Sequence, residues 1–246
     1  MKKQEFNNRR RAAEEEVVVE WIPKTELGKA VLAGKITDID KVLSSGECIL
    51  EAEIVDTLVP GLEKDLLLIG QSKGKFGGGQ RRAFRQTQKK TKEGNKPKFT
   101  TLAVVGNKDG YVGLGRGASK ETVPAREKAF RKAKLNLIKI ARGYAGPDLI
   151  QGEPHTIPFT VKGKCGSCEL ILMPAPRGTG LVVEKECAKV LEFAGIKDVY
   201  AKSFGKSKTR LNNLAACFDA LKQLTKVKVR AGELEKLGII YGRIGK

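Results

Sequence analysis

The spacing of apolar positions divides the chain into helices and strands that group into two α+β units. In the first unit, Leu66–Ile69 is predicted to be a buried strand. Two apolar runs, residues 99–106 and 111–117, flank an Asn-Lys-Asp-Gly turn and predict a β-hairpin. The helical period from Thr122 to Arg142 predicts a single amphipathic helix capped by Thr122. Its predicted inward stripe consists of Val123, Phe130, Ala133, Leu137 and Ile140.

The second unit combines strands with two helices. Residues 155–163 and 167–175 are predicted strands joined by a glycine-containing turn, and residues 180–205 predict a β-α-β element around a helix at 186–195. An amphipathic helix is predicted at 211–224, where Leu211, Leu214, Phe218 and Leu221 recur at helical spacing. Ahead of both units, residues 21–50 have a helical, turn-rich pattern. Residues 51–65 fit a strand or a helix.

Residues 71–98 form a strongly cationic run between two predicted strands. They carry ten Lys or Arg and one acid, Glu93, a net +9 within a chain whose total is +19. The run is interrupted by Gly77, Gly78 and Gly79 and has few large apolar residues, so it cannot bury a core of its own. We therefore predict one long, mobile loop that binds a polyanion, with a phosphate backbone as the expected partner.

Length and composition favour a globular protein. The 246 residues suffice for one large domain or two small ones, and 40% hydrophobic with 30% charged residues is typical of folded chains. No apolar run approaches the roughly 20 residues of a membrane helix, and the N-terminus lacks a signal-peptide core. We expect a cytoplasmic protein with no membrane partner, in which the five cysteines are reduced thiols.

Patterns that would indicate catalysis or metal binding are weak. Gly113, Gly115 and Gly117 have G-x-G-x-G spacing without a Walker sequence, so we expect a close backbone approach to a phosphate or a neighbouring segment. Cys165 and Cys168 form one C-x-x-C, and the sole histidine, His155, completes neither a zinc set nor a triad. The sequence predicts no metal and no small-molecule substrate.

Two further segments are candidate contact surfaces. Residues 174–180, PAPRGTG, present Arg177 on a proline-stiffened loop with a flexible Gly-Thr-Gly end, which suits contact with RNA or protein. A basic cluster at the start of a predicted helix, where a helix N-terminus favours phosphate, consists of Lys202, Lys206, Lys208 and Arg210. A solubilising charged face is the alternative for this cluster. Because only 6% of residues are aromatic, recognition of folded RNA by shape is favoured over base stacking.

Several motifs, in order along the chain, resemble one known family. FTTLAVVGNKDGYVGLGRGASKE, followed by a basic helix, resembles the signature of the fifth protein of the small ribosomal subunit, the universal S-five family. EWIPKTELGKAV, PHTIPFTVKGKCGS and LMPAPRGTGLV resemble its archaeal and eukaryotic branch, whose eukaryotic member is called S-two. The resemblance covers about residues 20–225. Without eukaryotic terminal extensions, the chain resembles the archaeal type.

The resemblance implies an α+β protein with two domains. An N-terminal extension (1–52) precedes a double-stranded-RNA-binding-like domain (53–147) built from an antiparallel sheet and a helix. A C-terminal β-α-β domain of the S-five type (148–230) and a tail (231–246) follow. The family implies no enzymatic activity and no cofactor. It implies a structural constituent of the small subunit that binds its rRNA, contacts proteins of the S-four and S-eight families, lies near the mRNA entry path, and supports assembly and decoding accuracy.

The family pattern also assigns residues. The RNA-inserting loop of the family would contain Lys73, Lys75, Arg81, Arg82 and Arg85. Further cations expected at rRNA are Lys108, Arg116, Lys120, Arg126, Arg177, Lys202, Lys206, Lys208 and Arg210. Close backbone approach is expected at Gly77, Gly78, Gly79, Gly113, Gly115 and Gly117. The interdomain, protein-facing segment linked to accuracy would contain Arg177, Gly178, Thr179 and Gly180.

Two other classes of protein remain open. The β-α-β fold is shared with some kinases, so an enzyme acting on a phosphorylated small molecule is one alternative. Against it, the glycine strand is followed by Ala118-Ser119-Lys120 without an acidic partner. An RNA-binding module that acts away from the ribosome is the other. Nucleotide turnover and co-sedimentation with small subunits distinguish these hypotheses from the ribosomal one.

Overall fold

The computed structural model of the chain describes residues 21–72, 79, 81–146, 153–236 and 238–243. The helices are α1 (Glu26–Leu32), α2 (Ile39–Ser45), α3 (Ala52–Leu58), α4 (Thr122–Leu135), α5 (Lys185–Phe193), α6 (Arg210–Lys226) and α7 (Ala231–Lys236). The strands are β1 (Glu63–Leu67), β2 (Arg85–Thr91), β3 (Gly94–Gly106), β4 (Tyr111–Ser119), β5 (Leu137–Lys139), β6 (Ala141–Arg142), β7 (Val161–Cys165), β8 (Cys168–Pro174), β9 (Leu181–Val182), β10 (Val199–Phe204) and β11 (Ile240–Tyr241). The predicted α+β class is confirmed.

The first sheet is antiparallel and is organised around the long strand β3. Strand β4 pairs along one edge of β3, through the predicted turn at 107–110, and β5 pairs with β4 beyond it. On the other edge, β1 pairs with residues 102–106 of β3, and β2 pairs with residues 94–100. Strands β1 and β2 therefore lie end to end along the same edge of β3.

Helix α4 packs on one face of this sheet through its small residues. The face-forming positions of the helix are Ala125, Ala129 and Ala133, which are fully buried, whereas Val123 is 54% exposed. The predicted inward stripe was wrong in this respect. The reason is the opposing strand: its glycines let the helix approach so closely that only alanine fits between them. The helix also begins after Glu121 without a side-chain cap, so Thr122 does not cap it.

The helix predicted from Thr122 to Arg142 is seven residues shorter in the structure. Helix α4 ends at Leu135, and Leu137–Lys139 turns back as strand β5 along Tyr111–Gly113. Asn136 stabilises the reversal, because its Nδ2 donates to the carbonyl oxygen of Leu114 at 3.0 Å. Leucine and isoleucine at 137, 138 and 140 suit both helix and strand, so apolar periodicity alone could not show the change.

The second sheet has the order β7-β8-β10-β9, and helices α5 and α6 cover one of its faces. Strands β9 and β10 are parallel and are connected through α5, which confirms the predicted β-α-β element. Helix α6 lies over Gly163 of β7, where a Cβ would overlap the backbone of Ala216. Two strands are shorter than predicted: Leu181–Val182 is all that forms at 180–184, and residues 155–160 precede β7 without joining it. Pro158 in that segment has no N–H to donate.

The two sheets share one hydrophobic core, with α5 and α6 between them. Leu67, Leu102, Val104, Val112 and Leu114 of the first sheet belong to the same buried cluster as α5 and α6. Two hydrogen bonds also connect the units at the end of β1. The carboxylate of Glu186, 1% exposed, accepts from Leu68 N at 2.7 Å, and Arg210 donates to Leu68 O at 2.9 Å. These two side chains satisfy the backbone of Leu68, which explains why β1 ends at Leu67 and not at Ile69 as predicted.

Both ends of the described chain pack on the first sheet. Helices α1 to α3 form a cluster with Tyr111 and Leu137, and the Tyr111 hydroxyl donates to Asp40 Oδ1 at 2.6 Å. Near the C-terminus, β11 pairs antiparallel with β6. The buried Arg142 fixes this pairing by donating from Nη2 to Gly242 O at 2.9 Å and to Asp109 Oδ1 at 2.5 Å. The bounds of the four predicted segments, 1–52, 53–147, 148–230 and 231–246, stay predictions.

Candidate nucleic-acid interface

The cationic run 71–98 is not one loop, because contacts near Arg82 divide it into two parts. The first part, residues 71–82, we call the excursion. Its base is closed by Gly70 N donating to Arg82 O at 2.8 Å, by Arg82 N donating to Gln71 O at 3.2 Å, and by a bridge between Ser72 and Arg81. Arg81, Arg82 and Gly79 are exposed here. The predicted residues Lys73, Lys75, Gly77 and Gly78 lie outside the described residues.

The second part of the run is the β2–β3 hairpin, formed by Arg85–Thr91 and the first part of β3. Paired residues run from Arg85 opposite Thr100 to Thr91 opposite Gly94, and all but one of residues 85–98 are exposed. The prediction of one long, mobile loop was wrong for this part, because residues 85–91 form a strand that pairs with β3. The single acid, Glu93, forms an ion pair with Lys96 at 2.7 Å.

Arg116 lies where two clefts meet on the open side of β4. The first cleft, of about 640 Å³, contains four cations and no acid, and its basic residues are Lys98, Arg116, Lys128 and Lys132. The second, of about 460 Å³, runs between β4 and α6 and adds Lys164 and Lys222, together with Asp219. Sequence reasoning identified Arg116 and included Lys98 in the cationic run, but it missed Lys128 and Lys132. They converge only through the strand register and the packing of α4.

Three of the predicted rRNA contacts, Lys108, Arg177 and Arg210, are engaged within the chain. Lys108, which has a positive φ of 58°, forms an ion pair with Glu63 at 2.6 Å, and its N–H donates to Phe193 O. Arg210 bridges to Leu68 O and lies 3.5 Å from a Glu184 carboxylate oxygen. The backbone N–H of Lys108 and the side chain of Arg210 therefore help to join the two units. Their roles at RNA stay predictions.

The remaining predicted cations are exposed but belong to different surfaces. Lys120 lies just after β4 and Arg126 lies in the first part of α4. Each is two residues away in the sequence from a residue that lines the first cleft, Ala118 or Lys128. Lys202, Lys206 and Lys208 belong to β10 and the turn that leads into α6. The structure thus places one group of cations on the first sheet and another at the second sheet.

The three glycines of β4 approach the protein's own helix. A Cβ on Gly113, Gly115 or Gly117 would overlap backbone atoms of Ala133, Ala129 or Ala125. All three glycines are buried, so this strand offers no cradle for a nucleotide phosphate. Of the two alternatives in the sequence, close approach to a neighbouring segment is the one that the structure shows.

The PAPRGTG loop is hydrogen-bonded to Asp198, which is buried together with His155. Asp198 Oδ1 accepts from Gly180 N at 2.7 Å, and the other carboxylate oxygen lies 3.2 Å from His155 Nδ1. Burial lowers the pKa of His155, the charges of Arg177 and Lys197 lower it further, and Asp198 opposes them. Arg177 and Gly178 are exposed at the tip, where Arg177 Nη2 donates to Glu153 O at 3.1 Å. The loop is therefore a fixed surface feature.

The described residues contain no group of three or more His, Cys, Asp or Glu side chains arranged to hold a metal ion. Cys165 and Cys168 face each other across the β7–β8 turn, and Cys168 is buried. Hydrogen bonding to Cys217, together with burial, raises the pKa of the Cys187 thiol. No helix in the described parts of the chain is both long and apolar enough to cross a membrane.

This two-sheet fold with a basic hairpin belongs to a family of ribosomal proteins. The family model described as "Ribosomal protein S5, N-terminal domain" matches residues 83–141, and "Ribosomal protein S5, C-terminal domain" matches residues 163–235. The chain is a member of the ribosomal protein S5 family, whose members are structural proteins and not enzymes. The resemblance seen in the sequence motifs is thereby confirmed.

Archaeal relatives extend the similarity over most of the chain. It is 48% identical over 227 residues to "Small ribosomal subunit protein uS5" of Nanoarchaeum equitans, covering 92% of this chain and 97% of that protein. The protein of the same name from Methanobrevibacter smithii is 45% identical over 222 residues, covering 90% and 97%. That of Methanocaldococcus jannaschii is 42% identical over 225 residues, covering 92% and 97%.

Proposed function

We propose that this protein is a structural constituent of the small ribosomal subunit and holds small-subunit rRNA through the excursion and the β2–β3 hairpin. Family membership supports the ribosomal setting in the cytoplasm. The observation that carries the RNA contact is the charge of these two parts of the run. Their ten cations are accompanied by a single acid, Glu93, whereas Glu63 and Asp65 of the same sheet are already paired with Lys108 and Lys189.

The mechanism is charge neutralisation together with shape. Phosphate contacts position a protein on RNA without reading sequence, and duplex RNA is recognised through its backbone and groove geometry. The cations outside the run that suit this role are Lys120, Arg126 and Arg116 on the first sheet and its helix, and Lys202, Lys206 and Lys208 on the second sheet. A protein held in this way contributes to subunit assembly by fixing the relative positions of RNA helices.

Contacts with neighbouring ribosomal proteins are the finer part of the proposal. The face of the second sheet opposite α5 and α6 presents apolar side chains in one row, Met173, Tyr200 and Val182, which are register partners. Val182 is 49% exposed, and Phe204 on the same face is 50% exposed. We assign this face and the PAPRGTG loop to proteins of the S-four and S-eight families, and the loop with Arg177 to decoding accuracy near the mRNA entry path.

Two shortened proteins test the RNA contact without disturbing the core. In the first, residues 72–81 are replaced by a Gly-Ser pair, because Gln71 and Arg82 are already hydrogen-bonded. In the second, Asn-Gly replaces residues 88–97, because Thr87 and Lys98 are register partners that a two-residue turn can join. Together the replacements remove seven cations and one acid.

The measured quantity is the slope of log K against log salt for a small-subunit rRNA transcript. Each lost phosphate contact lowers the slope by about 0.9, so the double replacement lowers it by up to about 6. Unchanged slope and affinity would contradict the proposed RNA contact. Co-sedimentation of the native protein with small subunits in high salt tests the ribosomal setting, and release into the free fraction would instead indicate an extraribosomal RNA-binding module.

A further inference from the structure

The strand register sorts the charges of the β2–β3 hairpin onto one face. Directly paired residues in an antiparallel ladder point to the same side, and neighbours along a strand point to opposite sides. One side, which we call face A, carries Arg85 and Lys89 on β2 and Lys96 and Lys98 on β3. The other side, face B, carries Gln86, Gln88, Asn95, Pro97 and Phe99, with Lys90 as its one cation.

Face A continues onto the part of the sheet that faces the second unit. The same alternation places Leu102, Leu114 and Arg116 on face A, and the first two belong to the core shared with α5 and α6. Face B continues instead toward α4, through Ala103 and Val105. The face A cations of the hairpin and Arg116 therefore lie on the side of the first sheet that the second unit also packs against. Lys98 and Arg116 both line the first cleft.

Edge protection does not account for this arrangement. Charged side chains on exposed strands prevent unwanted pairing with other chains, but they do so on either face. Here, Lys89 and Lys96 lie directly opposite each other, a like-charge pair that destabilises a hairpin. The ion pair of Lys96 with Glu93 offsets only one of these charges. A bound polyanion would compensate the rest.

We propose that face A of the hairpin packs against the phosphate backbone of double-helical RNA and that face B does not touch it. This inference rests on the proposed function and specifies how it is carried out. The two rows of cations lie roughly 5 Å apart across the strands and form a flat charged patch; Lys96 and Lys98 are roughly 6.6 Å apart along β3, and Arg85 and Lys89 roughly 13 Å apart along β2. No aromatic residue lies on this face of the hairpin, so it offers phosphate contact and no platform for unpaired bases.

The sequence offers a test that changes neither composition nor net charge. Arg85-Gln86 and Gln88-Lys89 are exposed neighbours, so exchanging the members of each pair moves two cations from face A to face B. The swapped protein carries Arg85→Gln, Gln86→Arg, Gln88→Lys and Lys89→Gln. It is compared with the wild type and with the charge-deleted double variant Arg85→Gln, Lys89→Gln. Thermal unfolding of all three checks that the fold is unchanged.

Binding to a small-subunit rRNA transcript is measured from 50 to 400 mM salt. If face A holds the phosphates, the swapped protein behaves like the deleted one, and both lose about 1.8 from the salt slope, since each duplex phosphate contact contributes about 0.9. A swapped protein that binds like the wild type, or a deleted protein with an unchanged slope, overturns the inference. Because removal of the whole hairpin tests the proposed function separately, either result leaves that function standing.

A competition experiment tests the RNA class. An unlabelled 20-base-pair RNA duplex and a single strand of the same length are added to the complex with the wild-type protein. The duplex is expected to compete at least tenfold better, and this preference is expected to fall in the swapped protein. Better competition by the single strand would refute the duplex. If the face A variants kept their RNA slope but were lost from the assembled subunit, the occupant would be a protein.

Discussion

Replacing Gly115 with alanine tests whether the glycine strand serves packing or RNA. Gly115 lies in the middle of β4, beneath α4, and a Cβ at this position would overlap Ala129 O and Ala133 N and would lie 2.7 Å from Ala133 Cα. These are backbone atoms of one helix, so no side-chain rotation can relieve the overlap. The helix as a whole must move away from the sheet, which loosens the contacts of Ala125 and Ala129 as well.

The expected loss of stability follows from two opposing effects. Overpacking of a closed site costs about 1–3 kcal/mol, and contact with rigid backbone places this site near the upper end. Alanine restricts the unfolded chain more than glycine does, which returns about 0.4–1 kcal/mol. The net destabilisation is therefore about 2 kcal/mol. In a chain of this length, it corresponds to a decrease in Tm of roughly 4–8 °C.

Thermal unfolding and RNA binding are measured on the same protein preparations. The matched control is Gly232→Ala, at a helical position with no atom within 4 Å of the new Cβ, where alanine should stabilise by about 0.5–1 kcal/mol. For Gly115→Ala, we expect a lower Tm and unchanged RNA affinity well below it. An unchanged Tm with weaker RNA binding would refute the packing argument and return the glycines to the RNA surface.

Three further predictions address Arg142 at the pairing of β6 with β11, the buried His155, and the face of the second sheet opposite α5 and α6. Arg142→Met should destabilise by about 2 kcal/mol in urea unfolding, because it removes the hydrogen bonds that Arg142 donates to the buried Gly242 carbonyl and to Asp109. The exposed Arg243→Gln, as a control, should cost under about 1 kcal/mol. Burial lowers the pKa of His155, so on acidification the unfolded chain takes up the proton first. The free energy of unfolding should therefore fall as the pH decreases through about 6.5, and His155→Gln should make it depend less on pH. A Tm that rises on acidification would contradict this. Tyr200→Glu should leave Tm within 2 °C of wild type but reduce retention in assembled small subunits, and full retention would contradict docking on that face.

Local patterns in the sequence predicted those elements whose signals do not depend on distant partners. The Asn107–Gly110 turn, the helix at Arg210–Lys226 and the β-α-β order all rest on residues within one segment. Patterns failed where a partner decides the outcome. Leu137 fits a helix by period but pairs with Gly113 as a strand, and residues 85–91 lack apolar alternation but are held in a ladder by β3.

The candidate site shows the same division. Arg81, Arg82, Arg85 and Arg116 could be identified by charge alone, and all four are exposed. Charge could not show that Lys108 is paired with Glu63, because that acid is 45 residues away in the sequence. Nor could it show that Lys98 and Lys132 meet at one cleft, since they belong to a strand and a helix whose contact depends on the glycines of β4.

The net charge of +19 is therefore a poor guide to where RNA binds, because acids are distributed unevenly among the cations. Lys134, Lys189 and Arg142 pair with Asp56, Asp65 and Asp109, and each pair joins elements that are distant in sequence. Such cations stabilise the fold, and because each is paired with an acid they add little positive potential at the surface. The hairpin has only Glu93, so its positive potential is uncompensated until a polyanion arrives. Within the described residues, we therefore expect cations without an acidic neighbour to indicate the RNA surface better than the local density of Lys and Arg does.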